Sequence, residues 1–305
     1  MQADLANLDI RLRLAAFDWL SEQTDVQGDV FPRDLLTQGF IFEGQRVALL
    51  SPQGIFQPKR ADLPLTIRTS PNSPYDDAFS EDGYLHYKYR GTNPAHRDNV
   101  GMRQLMQARR PLIYLHGIVP GRYMVVWPVY VVGDDPGNLT FTVAVDDMAS
   151  LQLDTPMALL ADEGADARRV YLTRTVRARL HQRGFSERVI EAYRAQCAFC
   201  RLRHRELLDA AHIIPDQAEA GEPVVNNGIA LCKLHHAAFD SFMLGVRPDF
   251  VIEVRADILK EEDGPLLLHG LQGLHQTLMV LPASEAQWPS PNSLAWKYDR
   301  FLAAP

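Results

Sequence analysis

Over the first 150 residues, apolar and polar positions alternate in short runs separated by turn residues such as "SPQG", "SPNSP" and "VVGDDPGN". Period-two runs bounded by Gly, Pro, Asn and Asp predict β-strands. "LHYKYRG", "PLIYLHGI", "YMVVWPVYVVG" and "TFTVAVDD" are aromatic and β-branched over strand length. Two stretches carry apolar residues at helical spacing instead, residues 8–20 and "RDNVGMRQLMQARR" at 97–110. Together they predict a small curved sheet or barrel with helices packed on it. From about residue 150 the period turns helical. Asp166 is the expected N-cap of "ARRVYLTRTVRARLHQR", Gly184 its C-terminal stop, and Ser186 with Glu187 the start of a second helix, "ERVIEAYRAQ". Beyond residue 196 a short apolar strand, "LLDAAHII", is stopped by Pro215, and the tail is apolar and irregular, ending in "LAWKYDRFLA". The expected class is α+β in three parts: 1–150, 151–195 and 196–305.

With 305 residues, 46% of them hydrophobic, the chain can bury one large core or two ordinary ones, and two are expected. No run of 18 apolar residues predicts a membrane-spanning helix, and the charged, amphipathic start reads as a helix rather than a leader. A net charge of −7 argues alone against a polyanionic partner. Its distribution reverses that argument. Residues 168–205 hold eleven arginines against Glu187 and Glu191, a local balance of +9. Arginine is the better bidentate phosphate ligand, so this segment predicts nucleic-acid contacts, with Arg174, Arg177, Arg201 and Arg203 the candidates.

All three cysteines fall in two short stretches, "CAFC" at 197–200 and "LCKLHHAAFD" at 231–240. This is no disulfide framework and fits a reduced, cytoplasmic protein. Cys197 and Cys200 form one x2 knuckle, and Cys232 with His235 forms a second. Three thiolates and one imidazole make a closed tetrahedral zinc site, structural rather than catalytic. A small irregular segment with few core residues needs such a staple.

The phrase "DAAHIIP…NNGIALCKLHHAAFD" resembles the HNH, or ββα-metal, endonucleases, in the branch found among bacterial restriction-type proteins, over roughly residues 190–258. The family signature is a strand ending in His, an Asn on the connecting loop and a His at the start of a helix. His212, Asn227 and His236 stand at those positions. The resemblance implies hydrolysis of DNA phosphodiesters, with His212 as general base, Asn227 bracing the loop and His236 holding a divalent ion: Mg2+, with Mn2+ or Ni2+ as substitutes. One position departs from the pattern. Where the family places a metal-binding residue directly before the base, this chain has Ala211. Asp209, one pleat back on the same strand face, is the expected replacement, and Asp240, one helical turn after His236, its competitor. Neighbours on a helix diverge by about 100°, so His235 and His236 are expected to serve different metals.

The order and character of "PRDLL", "SPQGIF", "PYDDAF", "RRPLIYLHG" and "GRYMVVWPVYVVGDD" resemble the SRA or PUA-like readers of modification-dependent restriction enzymes. That resemblance implies a curved barrel with a pocket for a flipped base. Tyr75, Tyr84, Tyr87 and Tyr89 are candidates to stack on the base, and Asp76 or Asp77 to accept from its exocyclic amine. Arg90, Arg97, Arg103, Arg109 and Arg110 are candidates for the phosphates. The expected protein is a homodimeric enzyme that senses a modified base in double-stranded DNA and cuts nearby. Its rivals are a nuclease whose N-terminal part reads unmodified sequence, a backbone modification or a protein, and a zinc-stapled DNA-binding module with a decayed site, which Ala211 would permit.

Overall fold

The computed structural model describes residues 2–71, 84–145, 165–218, 221–262 and 264–304. It divides into two compact units, Met1–Leu180 and His181–Pro305. The division falls inside a helix, within the arginine-rich stretch between the sequence's two ends.

The first unit opens with helix α1 (Gln2–Gln27), followed by β1 (Val30–Pro32), α2 (Arg33–Gln38) and the hairpin β2 (Phe40–Phe42) and β3 (Gln45–Val47). Then come β4 (Ile55–Phe56), β5 (Thr66–Thr69), β6 (Leu85–Lys88), α3 (Arg97–Ala108), β7 (Leu112–Val119), β8 (Arg122–Asp135) and β9 (Thr140–Val145). The aromatic and β-branched runs of the sequence therefore form strands, and the 97–110 period forms α3.

Seven strands build one curled half-barrel sheet in the order β4-β5-β7-β8-β9-β6, with β1 also pairing β8. The β5–β7 pair is parallel, and the remaining pairs are antiparallel. Where Pro128 removes a ladder donor, the β7–β8 register shifts between Leu112 and Tyr114. Alternation along the strands gives the sheet two apolar faces. Tyr114, Met124, Val126 and Phe141 pack with Met102 and Leu105 of α3, whereas Ile113, Leu115, Val125 and Trp127 pack with Leu12, Ala16 and Leu20 of α1.

Helix α4 (Ala165–Ala192) is continuous through Gly184, so the break expected there does not occur, and Asp166 lies inside the helix rather than in front of it. A mid-helix glycine costs about 1 kcal/mol. Burial of Phe185, Val189, Ile190 and Tyr193 on one face outweighs it. The helix ends later, where Arg194 and Ala195 take left-handed φ of 57° and 50° and their N–H groups donate to Glu191 and Ile190.

The second unit continues with β10 (Leu208–His212), β11 (Gly228–Cys232), α5 (Lys233–Asp240), β12 (Leu244–Val246), β13 (Ile252–Val254), α6 (Pro265–Gly270) and α7 (Pro291–Ala303). β10 and β11 are antiparallel, with Leu208 opposite Cys232 and His212 opposite Gly228. The tail that reads as irregular in the sequence contributes α6 and α7. No described helix is long and apolar enough to cross a membrane.

Candidate metal and active site

The first knuckle is a tight turn. Cys197 N–H donates to Leu202 O (2.9 Å), and Arg201, at φ 63°, donates to Cys197 O (3.0 Å). Ala198 N–H donates to Ala230 O (2.7 Å), which fastens the knuckle to β11, the strand that runs into Cys232. Helix α5 starts immediately afterwards, so His235 is presented one turn in, buried against the edge of Phe199 (ring centroids 5.7 Å apart). The ligand atoms of Cys197, Cys200, Cys232 and His235 all lie within 4.8 Å of one another.

Their spacing suits one tetrahedral ion. His235 Nδ1 is 3.4 Å from Cys197 Sγ and 3.1 Å from Cys232 Sγ, and Cys200 Sγ is 4.0 Å from Cys232 Sγ. Metal–sulfur bonds of about 2.3 Å and metal–nitrogen bonds of about 2.0–2.1 Å place such donors about 3.5–3.8 Å apart. His235 Nε2 lies 2.7 Å from Gly270 O. A proton there leaves Nδ1 as the lone-pair atom facing the sulfurs, the outer-shell arrangement of metal-binding histidines. Burial opposes charge on His235, yet the sulfurs of Cys197 and Cys232 push its pKa up to about 10. Hydrogen bonds from Cys197 and Cys200 hold Cys232 far below an ordinary thiol, and contacts with Cys197 and Cys232 hold Cys200 far above one. A crowd of sulfurs that cannot all ionise together is stabilised as thiolate by a divalent cation. The donor set fits zinc.

The second cluster lies across α5. His212 ends β10 with its ring stacked on Phe185 of α4, centroids 4.0 Å apart and planes 17° apart. Its Nε2 is buried and has no hydrogen-bond partner among the described residues, and burial lowers the imidazole's pKa below 6.5. Only glycine lets α4 come this close. A Cβ on Gly228, opposite His212, would stand 2.5 Å from Val189 and 2.8 Å from Phe185.

Asn227 is buried, and its side chain crosses the loop. Oδ1 accepts from Ile214 N–H (2.9 Å), while Nδ2 donates to Ile214 O (2.9 Å) and Glu222 O (3.1 Å). With Ile213 N–H donating to Asn227 O (2.9 Å), the two residues after His212 are tied to the turn that leads into β11.

His236 sits between two carboxylates. Its Nδ1 is 3.6 Å from Asp209 Oδ2 and its Nε2 is 3.2 Å from Asp240 Oδ2. The hydrogen bond to Asp240 raises the His236 pKa, against the opposing effect of burial. Burial would raise Asp240, but His236 and Lys297 together hold it below the usual carboxylate value. Ala211 is fully buried in the core opposite Ile229. His236 thus sits between Asp209 and Asp240, while His212 ends β10 opposite Gly228, next to Asn227, within reach of the fields of His236 and Asp240.

The remaining candidates are scattered. Arg201 and Arg203 are exposed beside the first knuckle, and the side chains of Arg174 and Arg177 lie outside those described. Tyr75, Asp76 and Asp77 fall outside the described residues. Tyr87 and Tyr89 are buried members of the sheet's core. Tyr87 hydroxyl donates to Arg68 O (3.2 Å). Tyr89 stacks on Phe141 (4.4 Å), carries Arg103 over its ring (5.5 Å), and bonds Asp134 through its hydroxyl. Arg103 also pairs with Asp134 (2.7 Å), Arg110 with the buried Asp9 (2.7 Å), Arg90 with Asp98, and Arg97 with Asp98 (3.3 Å). Arg109 caps α3 with a left-handed φ of 48°.

Two residues at the site escape a motif reading. Phe185 reads as one more apolar position in a helical period. Lys297 carried a legible signal, because it falls on the same α7 stripe as the buried Leu294 and Phe301, where a charge is out of place.

Residues 197–247 match the family model described as HNH endonuclease. No curated protein matches the chain. Among solved structures, a protein described as the modification-dependent TagI restriction endonuclease is similar over 78% of this chain and 81% of its own, at 14% identity and a TM-score of 0.30. The type IV phosphorothioation-dependent restriction endonuclease ScoMcrA is similar over 61% of this chain and 51% of its own, at 16% identity and a TM-score of 0.25. With the His212, Asn227 and His236 positions and the zinc-compatible cluster inside the matched segment, the chain carries an HNH endonuclease domain.

Proposed function

We propose that this protein is a modification-dependent DNA endonuclease in which the N-terminal unit reads a modified base and the HNH domain hydrolyses a phosphodiester nearby. What supports the nuclease half is His236 set between two carboxylates, with His212, its strand end braced through Asn227, within reach of its field. In this reading His212 is neutral at physiological pH, and its unpartnered Nε2 accepts the proton of the attacking water. Phe185 holds the ring plane, and Asn227 holds the strand end that carries it. His236 and its carboxylates bind a divalent ion, Mg2+ or a substitute, which when bound supplies positive charge for the phosphate oxygens and the leaving oxygen. The Cys197, Cys200, Cys232 and His235 cluster holds zinc and takes no part in the chemistry.

The reading half rests on the sequence resemblance to SRA or PUA-like modules, and a curled half-barrel sheet suits it. Tyr87 and Tyr89 serve that sheet as packing, so contact with the base falls to other residues, with Tyr75, Asp76 and Asp77 still candidates. Arg201 and Arg203 supply phosphate contacts, joined by Arg174 and Arg177. Cutting both strands takes two such sites, hence a homodimer. The test is cleavage of matched plain and base-modified phage DNAs by the full chain with Mg2+. Modified DNA is cut and plain DNA spared; equal cutting of both overturns the modification dependence while leaving the nuclease intact.

A further inference from the structure

Arg188 lies outside the segment that matches the HNH model and carries a charge that its surroundings leave unbalanced. It follows Phe185 by three residues on α4, so the two are neighbours on the helix surface. Phe185 is stacked on His212, and Val189, the residue after Arg188, stands over Gly228. Long helical side chains lean back toward the helix N-terminus, and Arg188 leans over Gly184. A Cβ there would stand 3.1 Å from its Nη1 and 3.8 Å from its Cζ. A side chain at 184 would crowd the guanidinium, so the mid-helix glycine leaves it a seat.

Arg188 Nη2 donates to Pro223 O (3.3 Å). The preceding carbonyl, Glu222 O, accepts from Asn227 Nδ2 (3.1 Å), so Arg188 and Asn227 grip neighbouring carbonyls of the segment between β10 and β11. No carboxylate pairs with Arg188 among the described residues, and Glu187, beside it in sequence, pairs with Arg205. Packing around Arg188 lowers its pKa by desolvation, with no carboxylate set against that effect. The residue nonetheless stays exposed. A cation that is partly desolvated, lacks a counter-ion and remains open to solvent is arranged for an anion from outside. Its planar fork of N–H groups matches phosphate oxygens.

We propose that Arg188 is a phosphate-binding residue of the nuclease site: seated over Gly184 and held by Pro223 O, it takes a backbone phosphate of the DNA strand that lies against His212. This deepens, and rests on, the reading of the domain as a DNA nuclease with His212 as its base. Arg201 and Arg203 are exposed beside the knuckle, whereas Arg188 is set in place before DNA arrives, so its contact loses less side-chain entropy on binding.

The test uses full-length, zinc-replete protein and a base-modified phage DNA fragment, with affinity measured without Mg2+ over a series of salt concentrations. Each phosphate neutralised adds about 0.9 to the fall of log affinity with log salt. Arg188→Gln is expected to lower that slope by about one and to weaken binding about tenfold, whereas Arg188→Lys keeps the slope. Both are expected to melt as the wild type does. Gly184→Ala is expected to melt no lower, alanine being the better helix former, and yet to bind DNA more weakly. Duplexes that copy the cut junction, with one methylphosphonate at a time, place the contact: the wild type loses affinity at one phosphate near the cut, and Arg188→Gln loses none there. An Arg188→Gln protein with the wild-type slope and methylphosphonate profile overturns the assignment, while cleavage by the wild type keeps the nuclease reading. Binding that is lost only along with melting temperature, in Arg188→Gln and Arg188→Lys alike, makes the residue structural and also overturns it. A wild type that neither binds nor cuts the DNA overturns the nuclease reading and the contact with it.

Discussion

His235 and His236 are adjacent in sequence and serve clusters with opposite physics. The His235 cluster is closed: three sulfurs and one nitrogen face one point, and His235 is 2% exposed with its far nitrogen bound to Gly270. The His236 cluster is open and hard: its donors are nitrogen and carboxylate oxygen, with Asp209 and Asp240 side chains 46% and 53% exposed. Soft donors that complete a coordination sphere favour a permanent zinc, whereas oxygen donors with open positions favour an exchangeable ion that can also meet substrate. One helical step of about 100° is enough to separate the two tasks.

The two clusters can be perturbed separately. Stripping zinc with a strong chelator, or replacing Cys232 by Ser, removes about 10 kcal/mol of binding free energy that is also folding free energy. The expected result is loss of the 181–305 unit's cooperative unfolding in calorimetry, restored by zinc and not by Mg2+. His212→Ala is expected to lower the cleavage rate about 10²–10⁴-fold while leaving the melting temperature and bound zinc as in the wild type. Gly228→Ala pushes a methyl into Phe185 and Val189 and is expected to destabilise the unit by about 1–3 kcal/mol in denaturant melts, with activity falling as His212 loses its stacked ring.

The smallest effect is on pH. Burial holds His212 below 6.5, against the fields of Asp216 and Asp240 that favour its charged form and together with those of His236 and Lys297 that oppose it. In the role proposed for it, His212 acts when neutral. The His212 ring is therefore expected to titrate below 6.5 when followed by NMR, leaving it neutral at physiological pH; a midpoint at or above 6.5 contradicts this environment for His212.

What the sequence disclosed follows how local each signal is. The knuckle spacing of Cys197, Cys200, Cys232 and His235 is a short-range pattern, and the four come together as expected. The strand runs of the N-terminal half and the period of α3 are equally local. Gly184 misled because its cost of about 1 kcal/mol is smaller than the burial of Phe185, Val189 and Ile190, which follow it on α4, and of Tyr193 just past the helix. The strand order, with β5 beside β7 and β6 at the far edge, depends on pairings distant in sequence and has no local trace. Lys297 is an intermediate case: a charge on an apolar stripe marks a buried ion pair, but its partner Asp240, 57 residues away, is named only by the fold.

If the two adjacent histidines serve two different ions, metal content measured beside cleavage separates their roles. Purified His236→Ala is predicted to retain one zinc per chain and the wild-type melting temperature while losing cleavage with Mg2+. His235→Ala is predicted to lose the zinc and the folded 181–305 unit with it. Loss of zinc from His236→Ala, or retention of both zinc and cleavage by His235→Ala, would contradict the division.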